Sequence, residues 1–280
     1  MIRRAFGFWL ILLLPFWASP AQATDSVSFT GNFVQGGLAI GHTLPGARVR
    51  FAGKQVRVSA EGLFLIGFGR DAGPTTSLEV VIPGGMAESR ILTIGKRDYD
   101  IQRIEGLPQK KVTPDAVALK RINADNALIR LAREEDRDRA DFSSGFDWPL
   151  RGRVSGVYGS QRILNGKPRN PHNGVDIAAP EGTLITVPAS GVVAMAHEDM
   201  FFTGKTVMLD HGHGLTSVYA HMSEILVKQG QRVAKGASLG RVGRSGRATG
   251  AHLHWGVTWF KTHLDPMLLT GPMPRVTPKP

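Results

Sequence analysis

The sequence predicts a mainly β protein in two β-rich parts joined by a helical connector, and three observations carry that prediction. Short runs with a period of two fill residues 24–105. One capped, apolar-sided helical stretch follows them. From Gly145 onward, glycines punctuate β-rich runs, and eight of the nine histidines fall in this half. With 42% hydrophobic and 20% charged residues among 280, the chain can bury real cores and is not globally disordered. Cysteine is absent, which excludes disulfides, thiol nucleophiles and thiolate metal sites.

Residues 1–23 read as a secretory signal. Arg3 and Arg4 provide the positive start, Phe6 to Ala18 an uncharged apolar stretch, and Ala21-Gln22-Ala23 a small-x-small cleavage site. The apolar stretch is shorter than the roughly 20 residues of a spanning helix, so stable membrane insertion is not expected. The net charge of +11, less the two signal arginines, leaves +9 on a mature extracytoplasmic chain. Anionic envelope polymers, not nucleic acid, are then the expected partners.

Residues 24–105 predict a small antiparallel β-sandwich. Val49, Phe51, Val56 and Val58 alternate with Arg48, Arg50 and Arg57, and Ala52-Gly53-Lys54 offers a hairpin turn. Leu78-Val80-Ile82 keeps the alternation until Pro83-Gly84-Gly85. Nothing catalytic is visible here, and His42 stands alone. Residues 106–144 predict the connector: Thr113 as N-cap, Pro114 at the first helical position, and Leu119, Ile122, Leu128, Ile129 and Ala132 as an apolar side. Arg133 to Arg139 reads as a solvated charged end. Residues 145–270 form the histidine-rich β domain, followed by a Pro-rich tail, 271–280.

Three histidine elements define the candidate site. In His172-Asn173-Gly174-Val175-Asp176 an imidazole and a carboxylate are the donor mixture that suits zinc. In His252-Leu253-His254 two imidazoles project from one strand face, so one can bind a metal while the other stands beside it. Tyr219-Ala220-His221 ends a predicted strand. Three protein ligands plus water make an open catalytic zinc site and leave further histidines for proton transfer.

These elements, with His211-Gly212-x-Gly214-x-Thr216-x-x-Tyr219-x-His221, Gly230-x-x-Val233-x-x-Gly236 and Gly243-x-x-Gly246-x-x-x-Gly250-x-His252-x-His254, run in order over residues 148–267. In this the chain resembles the lysostaphin-like, or LytM-type, zinc endopeptidases that hydrolyse peptidoglycan. The resemblance implies a β-sheet peptidase domain of duplicated-hybrid-motif type with an open groove. It also implies His172, Asp176 and His254 as zinc ligands and His221 and His252 as catalytic residues. His211 takes a supporting role by the same resemblance, while His197, His213 and His263 receive none.

The expected activity is therefore zinc-dependent endopeptidase cleavage of peptidoglycan stem-peptide cross-links in the periplasm. One rival is a non-catalytic LytM-type activator of an amidase, disfavoured by the complete set of five residues. A carrier domain is the other, disfavoured because Lys205 and Lys235 lack the flanking context of a modifiable lysine. The N-terminal domain is expected to be separable, with three roles open to it: docking an envelope partner, anchoring on glycan or covering the groove. A chain beginning near Gly145 is expected to fold alone and keep zinc.

Overall fold

The computed structural model of the protein describes residues 26–85, 87–104, 115–164 and 166–274. The expected signal at 1–23, Thr113, Pro114 and residues 275–280 of the tail lie outside them.

The N-terminal part carries eight strands: β1 (Val27–Gly31), β2 (Leu38–Thr43), β3 (Arg48–Phe51), β4 (Lys54–Val56), β5 (Leu63–Gly67), β6 (Thr75–Val81), β7 (Ala87–Thr93) and β8 (Ile101–Ile104). They form two antiparallel sheets, β1-β2-β5 and β4-β3-β6-β7, with β8 outside both. The alternation in β3 is literal: Val49 and Phe51 are buried while Arg48 and Arg50 are exposed. Phe51 pairs with Lys54 across a two-residue turn, and Ala52 and Gly53 both take positive φ, 47° and 74°. That is the twist a tight hairpin requires.

The connector helix, α1 (Ala116–Arg133), is capped by Asp115, whose carboxylate accepts from the Ala118 N–H. The cap thus falls two residues after the expected Thr113, on a side chain equally suited to it. The expected apolar side is only partly used. Ile122 and Ala132 are buried, but Leu119 and Leu128 are 44% and 41% exposed. The reason lies in the sheet below, which offers α1 only a narrow strip built on Met195, Met200 and Met208.

The second half contains β9 (Arg153–Gly156), β10 (Gln161–Leu164), β11 (Lys167–Pro168), β12 (Val175–Ala178), β13 (Leu184–Thr186), β14 (Gly191–Met200), β15 (Gly204–Asp210), β16 (Leu215–Ile225), β17 (Arg232–Val233), β18 (Ser238–Val242), β19 (His252–Trp259) and β20 (Thr262–Leu264), then a short α2 (Met267–Thr270). Its main sheet runs β17-β14-β15-β16-β19-β12-β9, with β18 beside β16, β13 beside β18 and β20 beside β19. Leu253, Trp255 and Val257 of β19 are fully buried on one face of this sheet. The intervening His252 and His254 occupy the other.

The charged segment after α1 leaves Glu134, Glu135, Arg137 and Asp138 exposed, as expected, but is pinned to the fold at Asp136 and Arg137. Arg137 places its guanidinium 3.1 Å from the carboxylate of Asp210, which is only 1% exposed, and its carbonyl accepts from the His213 N–H at 3.0 Å. Arg57 holds Asp136 at 2.8 Å. A buried carboxylate without a cation would be costly, so Asp210 recruits the linker.

One buried apolar cluster runs through both β-rich parts. Phe51 packs on Trp259 with ring centroids 5.9 Å apart, and Gly67 lies beneath Trp259 and Leu264. Arg97 pairs with the buried Asp265 at 2.8 Å, Asn32 donates to the Leu268 carbonyl at 2.8 Å, and β8 pairs in parallel with β10. This shared core changes the expectation for a chain cut at Gly145. Such a chain exposes Trp259 and Leu264 and strands Asp265. It should therefore unfold at a clearly lower temperature than the full chain, with a broader transition, as calorimetry would show; an unchanged transition would mean the two cores are independent.

Candidate active site

Antiparallel pairing of β12 with β19 sets Asp176 directly opposite His254, and Ala178 opposite His252. Side chains of directly opposed residues share a face and lie within contact distance. His172 precedes β12 by three residues and folds back on the same face. The result is a tight triangle: His172 Nε2 to Asp176 Oδ1 3.1 Å, His172 Nε2 to His254 Nδ1 3.1 Å, and His254 Nδ1 to Asp176 Oδ1 2.9 Å. Asp176 also needs room, because a Cβ on Gly156 of β9 would lie 2.5 Å from Asp176 Oδ2.

The three donor atoms can hold a metal ion. Around a tetrahedral ion with bonds of about 2.0–2.1 Å, neighbouring ligand atoms lie roughly 3.3 Å apart, close to the edges of this triangle. The tautomers also fit. His172 Nδ1–H donates to the Val157 carbonyl at 3.0 Å, which leaves the Nε2 lone pair facing the triangle. Burial works to raise the Asp176 pKa, but the His172 and His254 imidazoles beside its carboxylate hold it well below the usual carboxylate range. For His172 burial is likewise outweighed by Asp176, which raises its pKa; for His254 burial prevails and lowers it.

Two further histidines stand beside the triangle. His252 Nε2 is 3.9 Å from Asp176 Oδ1, and its Nδ1–H donates to the Gly250 carbonyl at 2.9 Å. His221 lies with its ring centroid 4.7 Å from that of His252, and its Nδ1–H donates to the Ser245 carbonyl at 2.9 Å. Strict alternation along β16 would send His221 to the core side with Tyr219. Instead Tyr219 pairs with Val207 and Met222 with Lys205, so Ala220 and His221 oppose one residue. This bulge, with His221 at φ 62°, turns the ring to the metal-site face. Burial lowers the His221 pKa to about 4, so the ring is neutral at pH 7.

All five residues singled out in the sequence thus converge on one face. Their supports were not singled out: Gly156, the carbonyls of Val157 and Gly250, and Ser245. Ser245 also accepts the Lys205 N–H at 2.9 Å and donates to the Met222 carbonyl at 2.8 Å, tying the Gly243–Gly250 turn to the β14–β15 hairpin. The glycine spacing of that turn was the available signal. The other histidines lie elsewhere. His197 accepts from the Asp199 N–H, and His213 sits buried in the turn before β16. His263 lies beside Thr258, and His42 is exposed on β2.

His211 is fully enclosed beneath the sheet. Its Nδ1–H donates to the Ser190 carbonyl at 2.7 Å, while Nε2 accepts from Ser217 at 2.7 Å. Ser217 in turn accepts from the Tyr219 hydroxyl at 2.9 Å.

A family model, Peptidase family M23, matches residues 170–266. A crystal structure of an M23 peptidase candidate from Pseudomonas aeruginosa is 33% identical, covers 85% of this chain and 95% of its own, and superposes with a TM-score of 0.63. Among curated relatives, the peptidoglycan DD-endopeptidase ShyA of Vibrio cholerae is 38% identical over 109 residues, 39% of this chain and 25% of that protein. The DD-carboxypeptidase/endopeptidase Mpg of Neisseria meningitidis is 36% identical over 106 residues, 38% and 24% respectively. The chain spans about a quarter of the length of these curated relatives. A histidine- and aspartate-lined β-sheet site that could hold a metal ion fits the class of metallopeptidases. The chain belongs to peptidase family M23, the LytM-type family.

Burial lowers the His211 pKa to about 4, so the folded state keeps it neutral while the unfolded state protonates it near 6.5. Between those values the unfolded chain binds more protons, so stability falls as pH falls. The expected slope is about 1.4 kcal/mol per pH unit from this group alone. Denaturant melts at pH 7, 6, 5 and 4.5 should show it, and His211→Asn should remove this group's share of the slope while those of His221 and His263 remain.

Proposed function

We propose that the protein is an exported zinc-dependent endopeptidase that hydrolyses peptide cross-links of peptidoglycan in the periplasm. The observation that carries this reading is the triangle of His172 Nε2, Asp176 Oδ1 and His254 Nδ1 with two further histidines on the same face. The names of ShyA and Mpg support the substrate class. Arg3, Arg4 and the apolar run behind them support export. No helix among the described residues is long and apolar enough to cross a membrane. The domain assignment stays as read from the sequence: 24–105, a connector over 106–144, the peptidase over 145–270.

In this reading His172, Asp176 and His254 hold the zinc ion. When bound, zinc supplies Lewis-acid activation of a water and polarisation of the scissile carbonyl. His221 and His252 are the catalytic pair. Their Nδ1–H groups are committed to the Ser245 and Gly250 carbonyls, so each neutral ring presents its Nε2 lone pair to the site. One ring accepts the water's proton at Nε2; the other must take up a proton on Nε2 before it can donate to the developing oxyanion. Chain charge favours a substrate whose stem peptides carry carboxylates: +11 overall. The completeness of the five-residue site speaks against a purely activating role.

Digestion of purified sacculi, with the released muropeptides identified by mass, tests the activity. Chelation should abolish hydrolysis and added zinc restore it. His172→Ala, Asp176→Ala and His254→Ala should lose both metal and activity. His221→Ala and His252→Ala should keep about one zinc per chain and lose roughly 10²–10⁴-fold in rate. Elemental analysis beside the rate of each variant separates the two groups. If His252→Ala emptied the site while His254→Ala stayed loaded, the roles along β19 would be reversed.

A further inference from the structure

We propose that Tyr99 and Arg70, in the N-terminal part, are positioning residues for His172, so that the N-terminal part helps to build the metal site. This rests on the reading of His172 as a ligand. Apart from its contacts with Asp176 and His254 inside the triangle, His172 is held by one turn, residues 157–160. Its Nδ1–H donates to the Val157 carbonyl at 3.0 Å, and its backbone N–H to the Ser160 carbonyl at 2.8 Å. The His172 carbonyl in turn accepts from the Gly159 N–H at 2.9 Å. Wherever this turn goes, the ligand goes.

Within the second part the turn is anchored through Tyr158, 3% exposed, whose hydroxyl donates to the His263 carbonyl at 2.8 Å. Val157 is 46% exposed, and Gly159 adopts φ 82°. What presses on it comes from the N-terminal part. The Tyr99 ring covers Gly159 so closely that a Cβ there would lie 2.1 Å from Tyr99 Cδ1. Arg70 donates from Nε to the Gly159 carbonyl at 2.8 Å and stacks on the Tyr99 ring at 4.6 Å. Arg97 lies over the same ring at 5.4 Å and is itself fixed by Asp265 at 2.8 Å.

Immediately beyond, the Gln161 N–H donates to the Asp100 carbonyl at 2.9 Å, and β8 runs parallel to β10. Tyr99 therefore sits at the root of a backbone splice between the two parts, two contacts from the metal ligand. Its hydroxyl is buried and has no hydrogen-bond partner among the described residues, so the ring face, not the hydroxyl, holds the turn.

Zinc affinity of the full chain, measured by competition with a chromophoric chelator, is the test. Outer partners of metal-ligating histidines typically change affinity 10–100-fold when removed. Tyr99→Ala and Arg70→Ala should therefore weaken zinc binding by about tenfold or more. Tyr99→Phe should bind as the unaltered protein does.

Phe33→Leu is the control. It loosens the aromatic cluster of Phe29, Phe33 and Phe68 away from Gly159 and should leave zinc affinity unchanged. If Tyr99→Ala does not fold, Arg70→Ala decides the matter alone. Affinity unchanged in the folded Tyr99→Ala or Arg70→Ala variants, or lowered equally in Phe33→Leu, overturns the proposal. Unaltered protein that holds no zinc overturns the ligand reading as well, whereas zinc lost only with His172→Ala overturns this inference alone.

Discussion

The register between Val175–Ala178 and His252–Trp259 is the constraint on which the rest depends. It places Asp176 across from His254 and Ala178 across from His252, so one backbone pairing supplies two of the three converging donors and a neighbouring imidazole. A slip of one residue would set Asp176 opposite Leu253 or Trp255 and send the imidazoles to the other face. The opposite face forbids that slip. Val175 and Ile177 on one strand and Leu253, Trp255 and Val257 on the other are all fully buried. Apolar packing on one side of the sheet thereby fixes polar geometry on the other.

Protonation is set by turns and not by the strands. His172, His221, His252 and His211 each give their Nδ1–H to a main-chain carbonyl, those of Val157, Ser245, Gly250 and Ser190. A carbonyl can only accept, so each bond assigns the tautomer and leaves the lone pair on Nε2. For the three site residues that lone pair is the useful one. His211 uses its own to accept from Ser217 and so closes a buried chain of hydroxyls without a charge.

Much of this was legible in the sequence because period and spacing translate directly into geometry. His252 and His254 share a face since a strand repeats every two residues, whereas Gly174 serves close approach and not a turn: a Cβ there would lie 2.3 Å from the Trp255 carbonyl oxygen. The alternation around Phe51 announced its hairpin, down to the Ala52-Gly53 turn. Other features follow from contacts that no local pattern encodes. By parity His221 belongs with Tyr219, and only a bulge, decided by how β15 and β16 pair, redirects it. Arg137 looked like one more solvated charge, because its partner Asp210 is distant in sequence and buried only in the fold. Leu119 and Leu128 looked like core, yet the strip available to the helix is narrower than the helix's apolar side. The union of the two parts was invisible for the same reason: Phe51 and Trp259 are ordinary apolar residues until they meet.

The bond from Asn32 to the Leu268 carbonyl joins positions 236 residues apart, and it has a bearing on the order of events during biosynthesis. A chain emerging from its N-terminus first makes β1 to β7 long before Trp259, Leu264 and Asp265 exist to cover them. Contacts of such long sequence separation close late and slowly. The early strands therefore spend most of synthesis with an open apolar face, and the His172 turn lacks its final register until the last strand is in place. Convergence of His172, Asp176 and His254 is in this way tied to completion of the polypeptide, and a nascent or truncated fragment carries those residues without the frame that aligns them.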